Sequence, residues 1–260
     1  MPKFAANLTM LFNEVEFLDR FALAAKAGFK GVEFLFPYAY SVDEIAKGLS
    51  DSGTKLVLHN LPAGNWAAGE RGIACLPGRE EEFRSGVDQA IQYATALGCP
   101  RVNCLAGIEP KDSDSSELYA TFVENLRFAA DLLAGSSINL LIEPINTRDI
   151  PGFFLHSTRQ ARAILLDVNS PNLKIQYDLY HMQIMEGDLA MTIQSNLDSI
   201  GHIQIADNPR RNEPGTGEIN FDFLFVFLDT IGYAGWIGCE YKPRTTTVEG
   251  LGWFEKFKAH

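Results

Sequence analysis

Eight short apolar runs recur along this chain of 260 residues, and stretches with helical periodicity separate them. A run of about four to eight mainly apolar residues is typical of a strand that is buried on both faces of a parallel sheet. The predicted strands are FAAN (4–7), GVEFLF (31–36), KLVLHN (55–60), RVNCLA (101–106), NLLIEP (139–144), LKIQYD (173–178), HIQIAD (202–207) and WIGCEY (236–241).

Apolar residues at helical spacing predict helices at 15–27 and 79–97. Gly28 and Gly98 follow these two segments, and glycine readily adopts the left-handed conformation that ends a helix. Three further helices are predicted at 115–133, 157–168 and 221–232.

Strands that alternate with helices over about 250 residues predict an α/β fold, namely a single (β/α)₈ TIM barrel. We expect one domain that spans residues 1–260, because no low-complexity linker divides the chain. A doubly wound open sheet is the alternative, but it normally holds fewer strands. The sequence also contains neither a GxGxxG nor a GxxxxGK[ST] phosphate-binding loop.

The chain is acidic, with a net charge of −11. Nucleic acids and anionic membranes bind basic surfaces, so we expect neither as a partner. The 4 cysteines form no CxxC pair and are expected to be buried, reduced thiols. No signal peptide or membrane-spanning stretch is recognisable, and we expect a soluble, cytoplasmic protein. The sequence does not determine the oligomeric state, and a homo-oligomer is one of the alternatives.

Carboxylates stand at the ends of three predicted strands, as Glu143, Asp178 and Glu240, and Gln204 lies within a fourth. The carboxyl ends of the strands of a barrel meet at one mouth, where its chemistry takes place. Buried like charges require a cation, and carboxylate and amide oxygens suit a hard divalent ion such as Mg²⁺ or Mn²⁺. We therefore predict one metal ion held by these four side chains.

Two histidines, His59 at the end of the third predicted strand and His181 after the sixth, are candidate substrate contacts at the mouth. His202 lies two residues before Gln204 on the same strand, so a hydrogen-bonded role deeper in the barrel is expected for it.

Two long loops are candidates for substrate binding. The segment 60–83 carries Arg71, and long loops in compact domains often act as lids. The segment 207–221 contains the adjacent Arg210 and Arg211, which could bind an anionic group.

Long segments of the chain resemble the hydroxypyruvate isomerases, a branch of the xylose-isomerase-like TIM barrels that also include ketose 3-epimerases and endonuclease IV. The resemblance covers nearly the whole chain. The segments that carry it are FAANLTMLF, GVEFLFPY, HNLPAGNWAAGERGIACLPGRE, IEPIN, QYDLYHMQ, HIQIADNP, EPGTGEIN and GCEYKP.

The resemblance implies one divalent metal ion bound by Glu143, Asp178, Gln204 and Glu240, with the two glutamates as the acid/base pair. The wider superfamily usually has histidine in place of Gln204. An amide oxygen is a harder ligand than imidazole, so Mg²⁺ is the expected ion and Mn²⁺ the second choice.

The resemblance also implies that His181 and Arg210 contact the substrate. A small hydroxy-oxo acid substrate carries a carboxylate, and a local cation must bind it against the acidic surroundings. Arg210 is the first candidate for this role, followed by Arg71 and Lys242.

The expected reaction is the interconversion of hydroxypyruvate and 2-hydroxy-3-oxopropanoate (tartronate semialdehyde) through an enediolate. A 2-oxotetronate isomerase or a ketose 3-epimerase would use nearly the same site chemistry. Cleavage of abasic DNA is disfavoured by the net charge and by the presence of only 5 histidines. A barrel that binds metal or sugar without catalysis is disfavoured by the intact glutamate pair.

Overall fold

A computed structural model describes residues 2–257 and confirms the predicted (β/α)₈ barrel. Its eight parallel strands close in chain order, and β8 pairs with β1. The predicted domain, 1–260, extends beyond the described residues at both ends. The strands are β1 Lys3–Asn7, β2 Gly31–Glu33, β3 Lys55–Asn60, β4 Arg101–Cys104, β5 Asn139–Ile142, β6 Leu173–Asp178, β7 Ile200–Ile205 and β8 Trp236–Cys239.

Helices lie between consecutive strands and cover the barrel. They are α1 Arg20–Ala27, α2 Val42–Ser52, α3 Glu80–Leu97, α4 Ser115–Gly135, α5 Thr158–Val168, α6 Leu179–Met185, α7 Leu189–Ser195 and α8 Phe221–Thr230. Short 3₁₀ helices occur at Phe17–Asp19, Trp66–Ala68, Leu197–Ser199 and Glu249–Phe257. None of the helices within residues 2–257 is long and apolar enough to cross a membrane.

Several strands end earlier than their apolar runs predict. Strand β2 stops at Glu33 rather than at residue 36, and Glu143 and Glu240 each lie one residue beyond β5 and β8. Pro144 follows Glu143 and has no N–H group to continue the ladder. The two glutamates therefore stand where the chain leaves the sheet and turns into the loops at the mouth.

Helix α2 was not predicted, although the sequence carries a signal for it. The Ser41 hydroxyl accepts a hydrogen bond from the Glu44 N–H at 3.3 Å, and the Glu44 carboxylate accepts one from the Ser41 N–H at 2.9 Å. This reciprocal pair is a capping box, which is recognisable from a serine followed three residues later by glutamate.

The two sides of the barrel wall pack differently. Ile203 and Ile205 on β7 are fully buried within the large apolar core that the helices cover. Inside the barrel, a small separate cluster contains Ala5, Val57 and Leu141, and Trp236 packs against it. Above this cluster the interior is polar, so the barrel is closed by apolar side chains at its amino-terminal end and carries chemistry at the other.

Gly238 on β8 leaves room for a carboxylate on the barrel axis. A Cβ atom at this position would overlap both carboxylate oxygens of Glu33, which is fully buried. A residue with any side chain at position 238 would displace Glu33 and the groups bonded to it.

We expect Gly238→Ala to lower the free energy of unfolding by about 1–3 kcal/mol, the usual cost of inserting a methyl group into a packed interior. Gly135→Ala is the matched control, because a Cβ at the end of α4 has no neighbour within 4 Å. Urea unfolding of both variants measures the difference. Equal stability of the two variants would show that the Glu33 carboxylate does not require this glycine.

Candidate active site

The carboxyl ends of the strands surround a cavity of about 520 Å³. Acidic groups lie in its wall, and arginine, lysine and aromatic side chains line its rim. The lining residues include six of the predicted site residues, Arg71, Glu143, His181, Arg210, Glu240 and Lys242, together with Asn60, Trp66, Tyr180 and Arg211.

Three carboxylates are buried at or beneath the floor of this cavity. Glu143 and Glu240 are 4% and 6% exposed, and Asp178 is not exposed at all. Ligand atoms of Glu143, Asp178 and His181 lie within 4.8 Å of one another. The strand ends thus bring Glu143 and Asp178 together, and Glu240 is joined to Asp178 through Arg211, which contacts both.

Burial governs the charge of these groups. Desolvation, followed by repulsion from Glu240 and Asp178, raises the pKa of Glu143 well above its usual range. Desolvation also raises the pKa of Asp178, and it raises that of Glu240 to about 7. The nearby Arg211 guanidinium opposes the increase at each of the three sites.

The oxygen atoms of the cluster are only partly satisfied by hydrogen bonds. Glu143 accepts from the Asn103 amide at 3.0 Å, and Glu240 accepts from the Asn7 amide at 3.3 Å. Asp178 uses Oδ1 to accept from the Tyr180 N–H at 2.7 Å. Its Oδ2 is buried without a hydrogen-bond partner.

His181 lies in the first turn of α6, which Asp178 caps. Its Nδ1 is 2.6 Å from the Asn146 amide nitrogen, and the Asn146 amide oxygen accepts from the Asp149 N–H at 2.8 Å. The amide orientation makes Nδ1 an acceptor, so Nε2 carries the proton of the neutral ring. Burial and the Arg211 charge lower the pKa of His181 well below its usual range. His181 therefore presents an N–H donor to Glu143 and Asp178, at 3.9 and 3.6 Å.

Arg211, rather than the predicted Arg210, is the arginine that contacts the carboxylate cluster. Its Nη2 lies 2.6 Å from a Glu240 oxygen and 3.6 Å from Asp178 Oδ2. Its guanidinium lies 5.2 Å from the centre of the Tyr180 ring, and its Nε is buried without a partner. Arg210 lines the same cavity but is exposed.

The loop after β7 decides which arginine points inward. Asp207 accepts hydrogen bonds from four backbone N–H groups between residues 215 and 219, at 2.8–3.1 Å. Arg211 takes the left-handed conformation with φ 57°, and its carbonyl accepts from the Lys242 N–H at 2.7 Å. These contacts depend on residues far apart in sequence, so spacing along the chain could not distinguish the two arginines.

Gln204 points into the barrel, and both the nitrogen and the oxygen of its amide make a hydrogen bond in this structure. Its nitrogen donates to Glu33 Oε1 at 2.7 Å, and its oxygen accepts from the Gln176 amide at 2.6 Å. His202 contacts the other oxygen of Glu33 at 2.7 Å, which confirms its predicted interior hydrogen bond.

The remaining predicted residues lie in different places. Arg71 sits on the Trp66 ring at 4.0 Å and donates to the carbonyl of Trp66 at 3.1 Å, within the long loop at the rim. Lys242 lines the cavity on the opposite loop. His59 does not line the cavity. It packs edge-on against the Tyr38 ring at 6.1 Å, and burial lowers its pKa to about 4. Its predicted role as a substrate contact is not supported, because β3 presents Asn60 to the cavity instead.

Glu33, Asn7 and Asn103 were not singled out from the sequence. Each is a polar residue within an apolar strand, in GVEFLF, FAAN and RVNCLA, and each is at most 1% exposed. The same signal identified Glu143 and Glu240, so a uniform search for polar residues in predicted strands would have found them.

The three carboxylates fit a hard divalent cation. They are buried, their pKa values are raised, and Asp178 Oδ2 has no partner. Oxygen donors of this kind suit Mg²⁺ or Mn²⁺. His181 does not fit as a ligand in this tautomer, since the Nε2 that faces the carboxylates carries a proton.

Comparison with known proteins agrees with this fold. A family model described as "Xylose isomerase-like TIM barrel" matches residues 21–257. The hydroxypyruvate isomerase of Escherichia coli is 58% identical over 99% of this chain and 100% of its own length. The 2-oxo-tetronate isomerase of Cupriavidus necator is 51% identical over 99% of both chains.

A solved structure described as an AP endonuclease, family 2, from Brucella melitensis is 50% identical, covers 100% of both chains and superposes with a TM-score of 0.97. An L-ribulose 3-epimerase structure, at 22% identity and a TM-score of 0.76, shares the fold. With the family model and both relatives spanning almost the whole chain, this protein belongs to the xylose isomerase-like TIM barrel family and is an isomerase.

Proposed function

We propose that this protein interconverts hydroxypyruvate and 2-hydroxy-3-oxopropanoate, with a divalent metal ion, Mg²⁺ first and Mn²⁺ second. The observation that carries the proposal is the cluster of three buried carboxylates with raised pKa values, at or beneath the floor of one cavity and beside an arginine. The E. coli relative at 58% identity is named a hydroxypyruvate isomerase, which supports the choice of substrate.

The reaction moves one proton from C3 to C2 and one from the C3 hydroxyl to the C2 oxygen. A base removes a proton from C3 of hydroxypyruvate and an enediolate forms. An acid then delivers a proton to C2, while the C3 hydroxyl gives up its proton and the C2 oxygen takes one. Glu143 and Glu240 both line the cavity, so each has access to the substrate carbons. One carboxylate takes the proton, and a carboxylic acid of the pair returns one.

Glu143, Asp178 and Glu240 would hold the ion, with Gln204 as the predicted fourth ligand. When bound, a divalent cation supplies electrophilic stabilisation of the negative charge on the substrate oxygens. Gln204 Oε1 accepts one hydrogen bond, from the Gln176 amide at 2.6 Å, and its second lone pair would bind the ion.

The neutral His181 has a separate task. Its Nε2–H points toward the carboxylate cluster, at 3.6 Å from Asp178 Oδ2. We assign it the donation of a hydrogen bond to a substrate oxygen, because a ring with a strongly lowered pKa donates without adding a charge.

Arg211 is the group we assign to the substrate carboxylate, with Arg210, Arg71 and Lys242 as further cations at the rim. The Arg211 side chain is only 18% exposed, and its buried Nε is free to donate. A bound divalent ion would compensate the negative charges of Glu240 and Asp178, which Arg211 now contacts. The Arg211 guanidinium would then be available to bind an anion.

A four-carbon acid is the second candidate substrate. The cavity, at about 520 Å³, is roomier than a three-carbon acid requires, and the C. necator relative at 51% identity is named a 2-oxo-tetronate isomerase. Parallel assays with three-, four- and six-carbon substrates decide between these acids and a ketose 3-epimerase activity. An abasic duplex is included in the panel, and robust nicking of that duplex would contradict the isomerase proposal.

We expect Mn²⁺ or Mg²⁺ to stabilise the protein, by about 2.7 kcal/mol at a concentration one hundred times Kd. The pKa of Glu240 is raised from 4.5 to about 7, so in the metal-free protein its contribution to stability is present below pH 4.5 and lost as the pH rises toward 7. Protons must leave the cluster before an ion binds. At a fixed metal concentration, stabilisation by metal should therefore be larger at pH 8 than at pH 6.

Thermal melts with and without chelator measure this effect, and Glu143→Gln and Asp178→Asn are expected to abolish it. An equal metal-induced shift in these variants would contradict the proposed ligands.

We expect Glu143→Gln and Glu240→Gln each to lower kcat by about 10²- to 10⁴-fold, the usual contribution of a general acid or base, at the metal concentration that saturates the wild-type protein. Glu186→Gln is the matched control, because that carboxylate accepts from the Thr158 N–H at 2.8 Å and lies outside the cavity. Steady-state assays with hydroxypyruvate give the result. Full activity of either cavity variant would remove that glutamate from the mechanism.

Arg211→Met and Arg210→Met form a pair of identical changes at adjacent positions. We expect the first to raise KM for hydroxypyruvate by about 10- to 100-fold, the equivalent of losing a charged hydrogen bond of about 1.5–3 kcal/mol. Exposed charges contribute about 0–1 kcal/mol, so the second should change KM by about fivefold at most. The opposite order in kinetic assays would reassign the carboxylate to Arg210.

A further inference from the structure

We propose that Glu33 is a positioning residue whose carboxylate holds the nitrogen of the Gln204 amide and so leaves the amide oxygen for the proposed metal ion. The inference rests on the proposed metal-dependent function, and it adds a residue that the sequence did not single out.

Glu33 lies at the end of β2 and is fully buried. Three donors from β1 and β7 converge on it. Its Oε1 accepts from Asn7 at 3.0 Å and from Gln204 at 2.7 Å, and its Oε2 is 2.7 Å from His202 Nε2. Gly238 opposite provides the space for this carboxylate.

A carboxylate accepts hydrogen bonds and donates none, so each group that faces it must present N–H. Gln204 therefore turns its nitrogen toward Glu33 and its oxygen away, toward Gln176 at 2.6 Å. A neutral amide in place of Glu33 would present both a donor and an acceptor, so Gln204 could turn either its nitrogen or its oxygen toward it. The orientation of Gln204 is thus set by its contact with Glu33 rather than by Gln204 itself.

Asn7 links Glu33 to the proposed acid/base pair. Its nitrogen donates both to Glu33 and, at 3.3 Å, to Glu240, while its oxygen accepts from the Thr9 N–H at 3.1 Å. Glu33 is therefore connected through single side chains to a proposed metal ligand, Gln204, and to a proposed proton carrier, Glu240.

The arrangement has a chemical consequence for metal binding. Only the oxygen of an amide coordinates a hard cation. Because the Glu33 carboxylate holds the Gln204 nitrogen, the oxygen is the atom left to bind the ion. Groups that orient metal ligands in this way typically alter metal affinity by about 10- to 100-fold when they are removed.

The test is a double-mutant cycle of Glu33→Gln and Gln204→Glu, read as the Kd for Mn²⁺ by titration calorimetry on the full chain. With Gln204 present, we expect Glu33→Gln to weaken Mn²⁺ binding by about 10- to 100-fold. In the Gln204→Glu background, we expect Glu33→Gln to strengthen Mn²⁺ binding. The new amide at position 33 donates a hydrogen bond to the carboxylate at position 204, whereas the Glu33 carboxylate would repel it. A change of sign between the two backgrounds supports the proposal.

A merely structural role of Glu33 would alter Kd in the same direction in both backgrounds, or leave it unchanged, and either result overturns the proposal. Glu186→Gln is the matched acid-to-amide control and should keep the wild-type Kd. If Glu33→Gln does not fold, Glu33→Asp replaces it in the cycle. The shorter side chain withdraws the carboxylate from position 204, and the same reversal of sign is expected.

The two proposals fail in different ways. Wild-type protein that binds no Mn²⁺ would overturn the metal-dependent function and the role of Glu33 with it. Wild-type protein that binds Mn²⁺ through Glu143 and Asp178, with no reversal of sign in the cycle, would overturn only the role of Glu33.

Discussion

Burial of three carboxylates at the mouth of the barrel is the constraint on which the rest of the site depends. Glu143, Asp178 and Glu240 are at most 6% exposed, and burial raises the pKa of each. Removing a charge from water costs free energy unless an opposite charge or a hydrogen-bond donor replaces the solvent. Arg211 provides part of that compensation through its contact with Glu240 at 2.6 Å. The remaining demand for positive charge is the physical basis of the proposed metal site.

The polar groups beneath the cavity follow from the same constraint. Asn7 and Asn103 donate to the acidic cluster, and Glu33 in turn accepts from Asn7, His202 and Gln204. A single carboxylate that accepts from three donors requires each of those side chains to present an N–H group. The match is incomplete elsewhere in the network, since His202 Nδ1 and Gln176 Oε1 are buried without a partner. The barrel accommodates it because β8 carries glycine at position 238.

The outer surface of the barrel was easier to predict than its mouth. Alternation of apolar runs and helical stripes identified all eight strands and the longest helices, because periodicity is a local property. Strand ends were less accurate, as at residues 34–36, and α2, α6 and α7 were not predicted. Helix α6 begins directly after Asp178, with no loop to separate it from β6, so its start carried no turn signal.

The sequence by itself determined the barrel. It also identified the three carboxylates that the barrel brings together, because a charged residue in an apolar strand is buried only where a partner compensates its charge. Only the tertiary structure decided that Arg211 rather than Arg210 reaches the carboxylates, that His59 faces away from the cavity and that Gln204 is bonded to Glu33. Each of these depends on contacts between residues distant in sequence. The pattern along one strand states which side chains are buried, but the neighbours that they meet are set by the closure of all eight strands.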